Sequence, residues 1–318
     1  MRLVTYESAH SSRAGVLVDS VVLDAAEVAG EAGMAVDGAK AAWGSTKAIL
    51  ELGPEALRAL EVAASAAAER GEGRPASTLE LRPPVTDPDK IICVGLNYRA
   101  HADEFGEGVP ESPNLFTKFR TSLVGPSASI VVPTAAKAVD YEGELAVVIG
   151  ARCKNVSPDR ALEHVVGCMV FNDVTARDLQ LRTSQWTAGK AIDTFAPCGP
   201  ALVTIDEVGD LQQLRLQTRV NGETVQDATT ASMIYPITAI VSFVSQLMTL
   251  VPGDIIATGT PEGVGFRRDP PIYLQPGDVV EVEIEGVGSI ANPVTRDSTA
   301  STEASVSHAQ GGSPDPLL

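Results

Sequence analysis

The stretch Val139-Asp140-Tyr141-Glu142-Gly143-Glu144-Leu145-Ala146-Val147-Val148-Ile149-Gly150 sets two glutamates against an apolar, β-branched run closed by glycine. Such a run reads as a buried strand, and residues two apart on a strand leave the same face. Glu142 and Glu144 are therefore expected side by side. Two ionised carboxylates so placed repel each other and lose hydration unless a cation lies between them. A hard divalent ion such as Mg²⁺, which takes oxygen ligands, resolves that conflict. An edge strand with a solvated acidic face is the alternative that this stretch alone leaves open. A second apolar strand, Val165 to Phe171, delivers Asn172-Asp173 at its end, and Asp173 is a candidate third oxygen ligand.

The segment Arg99 to Phe105 carries His101-Ala102-Asp103-Glu104. On a helix, His101 and Glu104 share a face at i and i+3. A carboxylate beside an imidazole raises its basicity and fixes its tautomer, as a general base requires. By itself an H-x-x-E is more often an incidental pair on an exposed helix. Gly106, Gly108, Pro110 and Pro113 follow, which gives the segment a flexible tether. Lys190 is flanked by Ala188-Gly189, so its ammonium could reach into a site, although a single lysine is by default at the surface. The loop Thr258-Gly259-Thr260-Pro261-Glu262-Gly263-Val264-Gly265 lacks the GK[ST] ending of a phosphate loop and the helix that must follow one. Its amides and the Thr260 hydroxyl could hold a small anion such as a carboxylate.

These residues need a scaffold, and the length of 318 residues suggests one large domain with a smaller one. Residues 1–85 hold three β-like runs (Arg2 to Tyr6, Gly15 to Asp19, Val21 to Asp24) and a helical stretch over 54–70 that starts at Pro54. They form a small amino-terminal domain that contains His10 and ends in a Gly/Pro-rich connector. Residues 86–297 form the larger domain, β-rich in its second half, with a hairpin turn at Asn221-Gly222. Pro158 to His164 reads as a short helix, and Ile237 to Val251 as an amphipathic helix too short to span a bilayer. Residues 298–318, rich in Ser, Thr, Gly and Pro, read as a disordered tail.

A hydrophobic fraction of 44% supplies a core, and a formal charge of −17 disfavours nucleic acid and anionic membrane as partners. Cys93, Cys153, Cys168 and Cys198 have no metal or redox spacing. Buried reduced thiols are expected, with Cys153 more exposed than the rest. No signal peptide is visible, so a cytoplasmic protein is expected.

Five pieces occur in one order: Asn97-Tyr98 with His101 and Glu104; Tyr141-Glu142-Gly143-Glu144-Leu145; Asn172-Asp173-Val174; Gly189-Lys190 before Asp193-Thr194-Phe195; and Thr258-Gly259-Thr260-Pro261. In this the chain, from about Lys90 to Val294, resembles the fumarylacetoacetate hydrolase superfamily. The resemblance implies an α+β, largely β fold, with a mixed β-roll catalytic domain, a small amino-terminal α/β domain and a homodimeric assembly. It implies Mg²⁺ or Mn²⁺ on Glu142, Glu144 and Asp173. It also implies a His101–Glu104 dyad on a mobile lid, Lys190 facing the substrate, and Arg99, Gln180, Gly259 and Thr260 as substrate contacts. The substrate class implied is a small-molecule 2-oxo acid, and the chemistry is that of an enolate stabilised by the metal. Ser184-Gln185-Trp186-Thr187-Ala188-Gly189-Lys190 is similar to members that act on 2,4-dioxo acids. Carbon–carbon hydrolysis of an acylpyruvate-like substrate is therefore favoured. Decarboxylation or tautomerisation of oxaloacetate, and isomerisation or decarboxylation of a hydroxymuconate-type diacid, are the alternatives. A metal-binding scaffold without catalysis would not need His101, Glu104 and Lys190 together.

Overall fold

The computed structural model describes residues 1–9, 11–34, 42–105 and 108–297. His10, Gly106 and the tail expected over 298–318 lie outside the described residues. The fold is largely β, with a few helices laid against two main sheets.

The larger sheet runs, in spatial order, through Arg74–Pro75, Val21–Asp24, Ser11–Val18, Arg2–Ser8, Ala196–Thr204, Val165–Asn172, Gly143–Ile149, Ile255–Ala257, Ile91–Gly95 and Asn114–Lys118. The sheet crosses the boundary placed at residue 85: Arg2 pairs with Val203 and Leu3 with Leu202. Leu3, Val16, Leu60, Met169, Phe171 and Leu202 share one apolar cluster. The helix Pro54–Glu69 joins it through Leu57, Leu60, Ala64 and Ala67, one stripe at helical spacing. All seven residues of Gly143–Ile149 are buried. Apolar matter covers both faces of that strand, which is why it reads as a continuous rather than an alternating run.

The smaller sheet runs Glu223–Thr229, Arg215–Val220, Val279–Ile284, Gly288–Arg296 and Ile130–Val132. Val279–Ile284 alternates between buried and more accessible positions, as a strand with one wet face does. The expected turn at Asn221-Gly222 joins Val220 to Glu223 with φ of 52° and 84°, the left-handed pair of a type I′ hairpin. The two sheets meet closely at Gly143. A Cβ there would stand 2.2 Å from the Thr218 hydroxyl and 3.1 Å from Val282, both on the smaller sheet. The residue between the two glutamates is thus the point where the second sheet touches the acidic strand.

Two expectations are corrected. Cys153 is buried at 4% exposure, because it and Leu250 exchange a pair of backbone hydrogen bonds at 3.0 Å. The same pairing shortens the expected helix over Ile237 to Val251. It ends at Leu247, and Met248 is already extended as the chain turns to meet Cys153. The short helix at Pro158–His164 is a 3₁₀ helix. Among the described residues no helix is long and apolar enough to cross a membrane.

Strand Val165–Asn172 approaches Ala196–Thr204 so closely at Gly167 that a Cβ would lie 2.1 Å from the Val203 carbonyl oxygen. Backbone on both sides leaves no rotamer that relieves this contact. Gly167→Ala is expected to destabilise the protein by about 1–3 kcal/mol, the usual cost of overpacking. Denaturant unfolding of the variant checks it, and an unchanged midpoint would refute the close approach.

Candidate metal and acid–base site

The site lies where Gly143–Ile149 begins and Val165–Asn172 ends. Antiparallel pairing sets Gly143 opposite Asn172. The Asp173 amide donates to the Glu142 carbonyl at 2.8 Å, and the Glu142 amide donates to Asn172 Oδ1 at 3.0 Å. Glu142, Glu144 and Asp173 converge, with one carboxylate oxygen of each within 4.8 Å of the others, and all three are buried.

Three cations surround these acids. Lys190 Nζ donates to Glu142 Oε2 at 2.6 Å and to Asp173 Oδ2 at 2.7 Å. Lys118 Nζ pairs with Asp173 Oδ1 at 2.6 Å and donates to the carbonyls of Val174 and Lys190. The Arg177 guanidinium spans Glu142, at 2.6 Å, and Asp140, at 2.8 Å. Among the described residues no lysine or arginine pairs with Glu144. Its Oε2 accepts from the Gly259 amide at 2.8 Å. Burial, with Asp173 and Glu142 close by, pushes the Glu144 carboxyl well above the ordinary carboxylate range. Burial would do the same to Glu142, but the charges of Lys190 and Arg177 outweigh it and hold that carboxyl well below the range. Burial works against the Lys190 ammonium, yet Asp173 and Glu142 raise its pKa above the ordinary value, so it stays protonated. Three hard oxygens and one carboxylate without a lysine or arginine partner fit a divalent ion such as Mg²⁺ or Mn²⁺.

Opposite the acids lies the helix Arg99–Phe105. His101 is buried, and its Nδ1 is 3.2 Å from Glu104 Oε2, so the i, i+3 pair forms. The other oxygen of Glu104 accepts from the Gly263 amide at 3.0 Å, which docks the helix on the glycine-rich loop. Burial raises the Glu104 pKa, but the hydrogen bonds from His101 and Gly263 prevail and hold it below its ordinary value. Asn97 anchors the helix start. It donates to the Thr258 carbonyl at 2.7 Å and accepts from the Tyr235 amide at 2.8 Å.

A cavity of about 110 Å³ lies between the two halves, lined by His101, Glu142, Glu144, Lys190, Arg177 and Gln180 on its polar sides. Val94, Gly95, Leu96, Phe116 and Trp186 make its apolar wall. Lys190 Nζ sits 4.9 Å from the Phe116 ring centroid, and Trp186 meets Phe116 edge to face at 5.4 Å. A larger open groove of about 530 Å³, with Leu57, Leu162 and Val166 in its wall, lies away from these carboxylates.

Of the residues expected at the site, the structure brings together Glu142, Glu144, Asp173, His101, Glu104, Lys190 and Gln180. It does not bring Arg99 to the cavity. Residues two apart on a helix point to different sides, so with His101 facing inward Arg99 is exposed. Thr260 also lines the cavity, with Gly259 next to it; the Gly259 amide holds Glu144, and the Thr260 hydroxyl donates to the Gly143 carbonyl at 2.9 Å. The small anion that this loop holds is the protein's own Glu144. Sequence reasoning missed Asp140, Lys118 and Arg177. Asp140 continues the alternation of Glu142 and Glu144 and could have been found by it. Arg177 lies four residues beyond Asp173, a weaker signal. Nothing in the sequence around Lys118 marks it as buried.

Glu142→Ala, Glu144→Ala and Asp173→Ala are each expected to lower Mg²⁺ and Mn²⁺ affinity in calorimetric titration, and undiminished affinity would remove that residue from the site. In chelator, metal-free stability should separate two of them. Glu142→Ala takes one of two carboxylate partners from both Lys190 and Arg177 and should cost about 3–5 kcal/mol, as breaking a buried ion pair does. Glu144→Gln removes a repelling charge and should leave thermal stability level or higher. The reverse order would mean that the charge balance described here is wrong.

Residues 90–295 match the family described as fumarylacetoacetate (FAA) hydrolase C-terminal. The human oxaloacetate tautomerase FAHD2A, mitochondrial, is 47% identical over 237 residues, which are 74% of this chain and 76% of the relative. The Xenopus laevis oxaloacetate tautomerase fahd2, mitochondrial, is 45% identical over 247 residues, 77% of this chain and 76% of the relative. Among solved structures, 5-carboxymethyl-2-hydroxymuconate delta-isomerase from Mycobacterium smegmatis is similar with a TM-score of 0.71 and 34% identity, covering 93% of this chain and 99% of that one. Maleylpyruvate hydrolase from Sphingobium sp. SYK-6 is similar with a TM-score of 0.75 and 30% identity, covering 93% and 100%. The family match spans the strands from Ile91 onward, the acidic cluster, the dyad helix and the glycine-rich loop together, and the chain belongs to the fumarylacetoacetate hydrolase family.

Proposed function

We propose that the protein catalyses the enol–keto interconversion of a short 2-oxo diacid, with oxaloacetate as its substrate. The observation that carries this reading is the small cavity. About 110 Å³ is well below the range of roughly 300–1,000 Å³ found for drug-sized ligands. It suits a four-carbon diacid better than a long ring-cleavage product. The relatives named as oxaloacetate tautomerases support the same choice.

Glu142, Glu144 and Asp173 would hold Mg²⁺ or Mn²⁺, which when bound supplies the Lewis acidity that favours an enolate over its ketone. The remaining work falls to side chains. Glu104 accepts at His101 Nδ1 and keeps the proton there, so Nε2 carries the lone pair that takes a proton from carbon 3 of the keto form. Returning that proton to the enolate oxygen gives the enol, and the reverse sequence restores the ketone. Lys190 stays protonated through its ion pairs and sets a fixed positive charge where negative charge develops. The docked helix and the aromatic wall keep bulk water away from the enolate, which limits hydrolysis.

Hydrolysis of a 2,4-dioxo acid is the second reading, and the His101–Glu104 dyad favours it because the same pair could deprotonate a water. One experiment separates the two. With Mg²⁺ present, NMR should follow oxaloacetate and a simple acylpyruvate in parallel. Faster enol–keto exchange of oxaloacetate, without release of CO₂, is the expected result. Cleavage of the acylpyruvate with no effect on oxaloacetate exchange would establish the hydrolase instead. His101→Ala should slow the exchange by roughly 10²–10⁴, the usual contribution of a positioned base. Undiminished exchange in that variant would rule His101 out as the base.

A further inference from the structure

Leu96 has a backbone that its side chain does not favour. Its φ is +57°, in the left-handed region where glycine is the ordinary occupant and a bulky residue is an outlier. Its neighbours impose that conformation. Gly95 is paired with Asn114 in the sheet, and Asn97 is fixed by four hydrogen bonds: to the carbonyls of Thr258 and Tyr235, and from the amides of Tyr235 and Ile234. The backbone would be at ease with glycine there. A leucine in that place points to a use for its side chain.

That use is visible in what the side chain divides. Leu96 is 8% exposed and lines two separate spaces. On one side is the reaction cavity of about 110 Å³. On the other is an outer groove of about 600 Å³ that opens to solvent, with Val109, Pro110, Pro113, Asn114 and Leu115 in its walls. The groove wall is tied back to the body of the protein, since the Tyr235 hydroxyl donates to the Pro110 carbonyl. Next to Leu96, Trp186 lines the cavity. This ring lies so close over Gly95 that a Cβ on Gly95 would stand 2.6 Å from it. Leu96 is the residue that the walls of the cavity and the groove share.

We infer that Leu96 sets the length of the substrate: it closes the cavity behind a short 2-oxo acid and excludes longer chains from the outer groove. The inference rests on the proposed 2-oxo acid chemistry only for the class of head group. Removing the partition should join cavity and groove and admit an aliphatic tail.

The test reads binding of two ligands, so that it does not depend on turnover. With saturating Mg²⁺, calorimetry measures the affinity of oxalate and of 2-oxooctanoate for the wild type, Leu96→Ala and Leu96→Gly. The ratio of long to short affinity should rise at least tenfold in both variants, because each buried methylene in an apolar pocket is worth roughly tenfold or more. Glycine also relieves the positive φ, so Leu96→Gly should fold even if the alanine variant does not. A ratio that stays level in the glycine variant, or in both, overturns the partition. If the wild type does not act on oxaloacetate but the ratio still rises, the proposed reaction fails while the role of Leu96 stands.

Discussion

Everything at the centre of this protein follows from burying Asp140, Glu142, Glu144 and Asp173 in one place. Carboxylates out of water are tolerated only if each meets a charge or strong donors. Lys118, Arg177 and Lys190 answer three of these acids. Among the described residues no lysine or arginine pairs with Glu144, which accepts from the Gly259 amide, so the cluster of four acids and three such bases favours either a protonated Glu144 or an added cation. The chain is arranged to keep that cluster in a fixed position. Two antiparallel strands bring the acids together, Gly143 lets the second sheet close over them, and Gln226 of that sheet accepts from the Gly143 amide at 3.0 Å.

The same balance links stability with chemistry. A scaffold built for stability alone would replace this cluster with apolar side chains, which often costs nothing or stabilises. Here Lys190 lies between two acids and an aromatic ring, and the acids keep it charged inside a small, largely apolar cavity. An ammonium so held is already oriented before a reaction begins, which is the basis of electrostatic preorganisation. The acid–base half is built on a different principle. Its helix buries little and is held through polar contacts at Glu104 and Asn97. One side of the cavity is therefore rigid by packing, and the other by a few hydrogen bonds.

Much of this was legible in the sequence, for reasons that are specific. The acidic strand showed itself because a period of two beside an apolar run leaves few other readings, and the dyad because helical spacing brings i and i+3 together. The hairpin at Asn221-Gly222 was legible because that dipeptide suits two successive left-handed residues. The charge-balancing residues were not legible: Lys118 looks like the polar end of an ordinary strand, and only its position beneath Asp173 shows its use. Arg99 was misplaced because its nearness to His101 along the chain says nothing about which side of a helix it occupies. The engagement of the glycine-rich loop was not legible either: the Gly259 amide serves Glu144 and the Thr260 hydroxyl serves Gly143, partners that lie far away along the chain.

The pairing of Arg2–Ser8 with Ala196–Thr204 has a consequence for how the chain is made. At a synthesis rate of about 5–20 residues per second, roughly 10–40 seconds separate the first strand from the partner that completes its ladder. Over that interval one edge of the first strand is open to any other extended segment nearby. The early partners Ser11–Val18 and Leu81–Arg82 emerge sooner and pair with it, and the helix Pro54–Glu69 brings its apolar stripe to the same side. Such a nascent three-strand unit can shelter the first strand until the later strands arrive. The amino-terminal strands become part of a continuous sheet once the chain is complete.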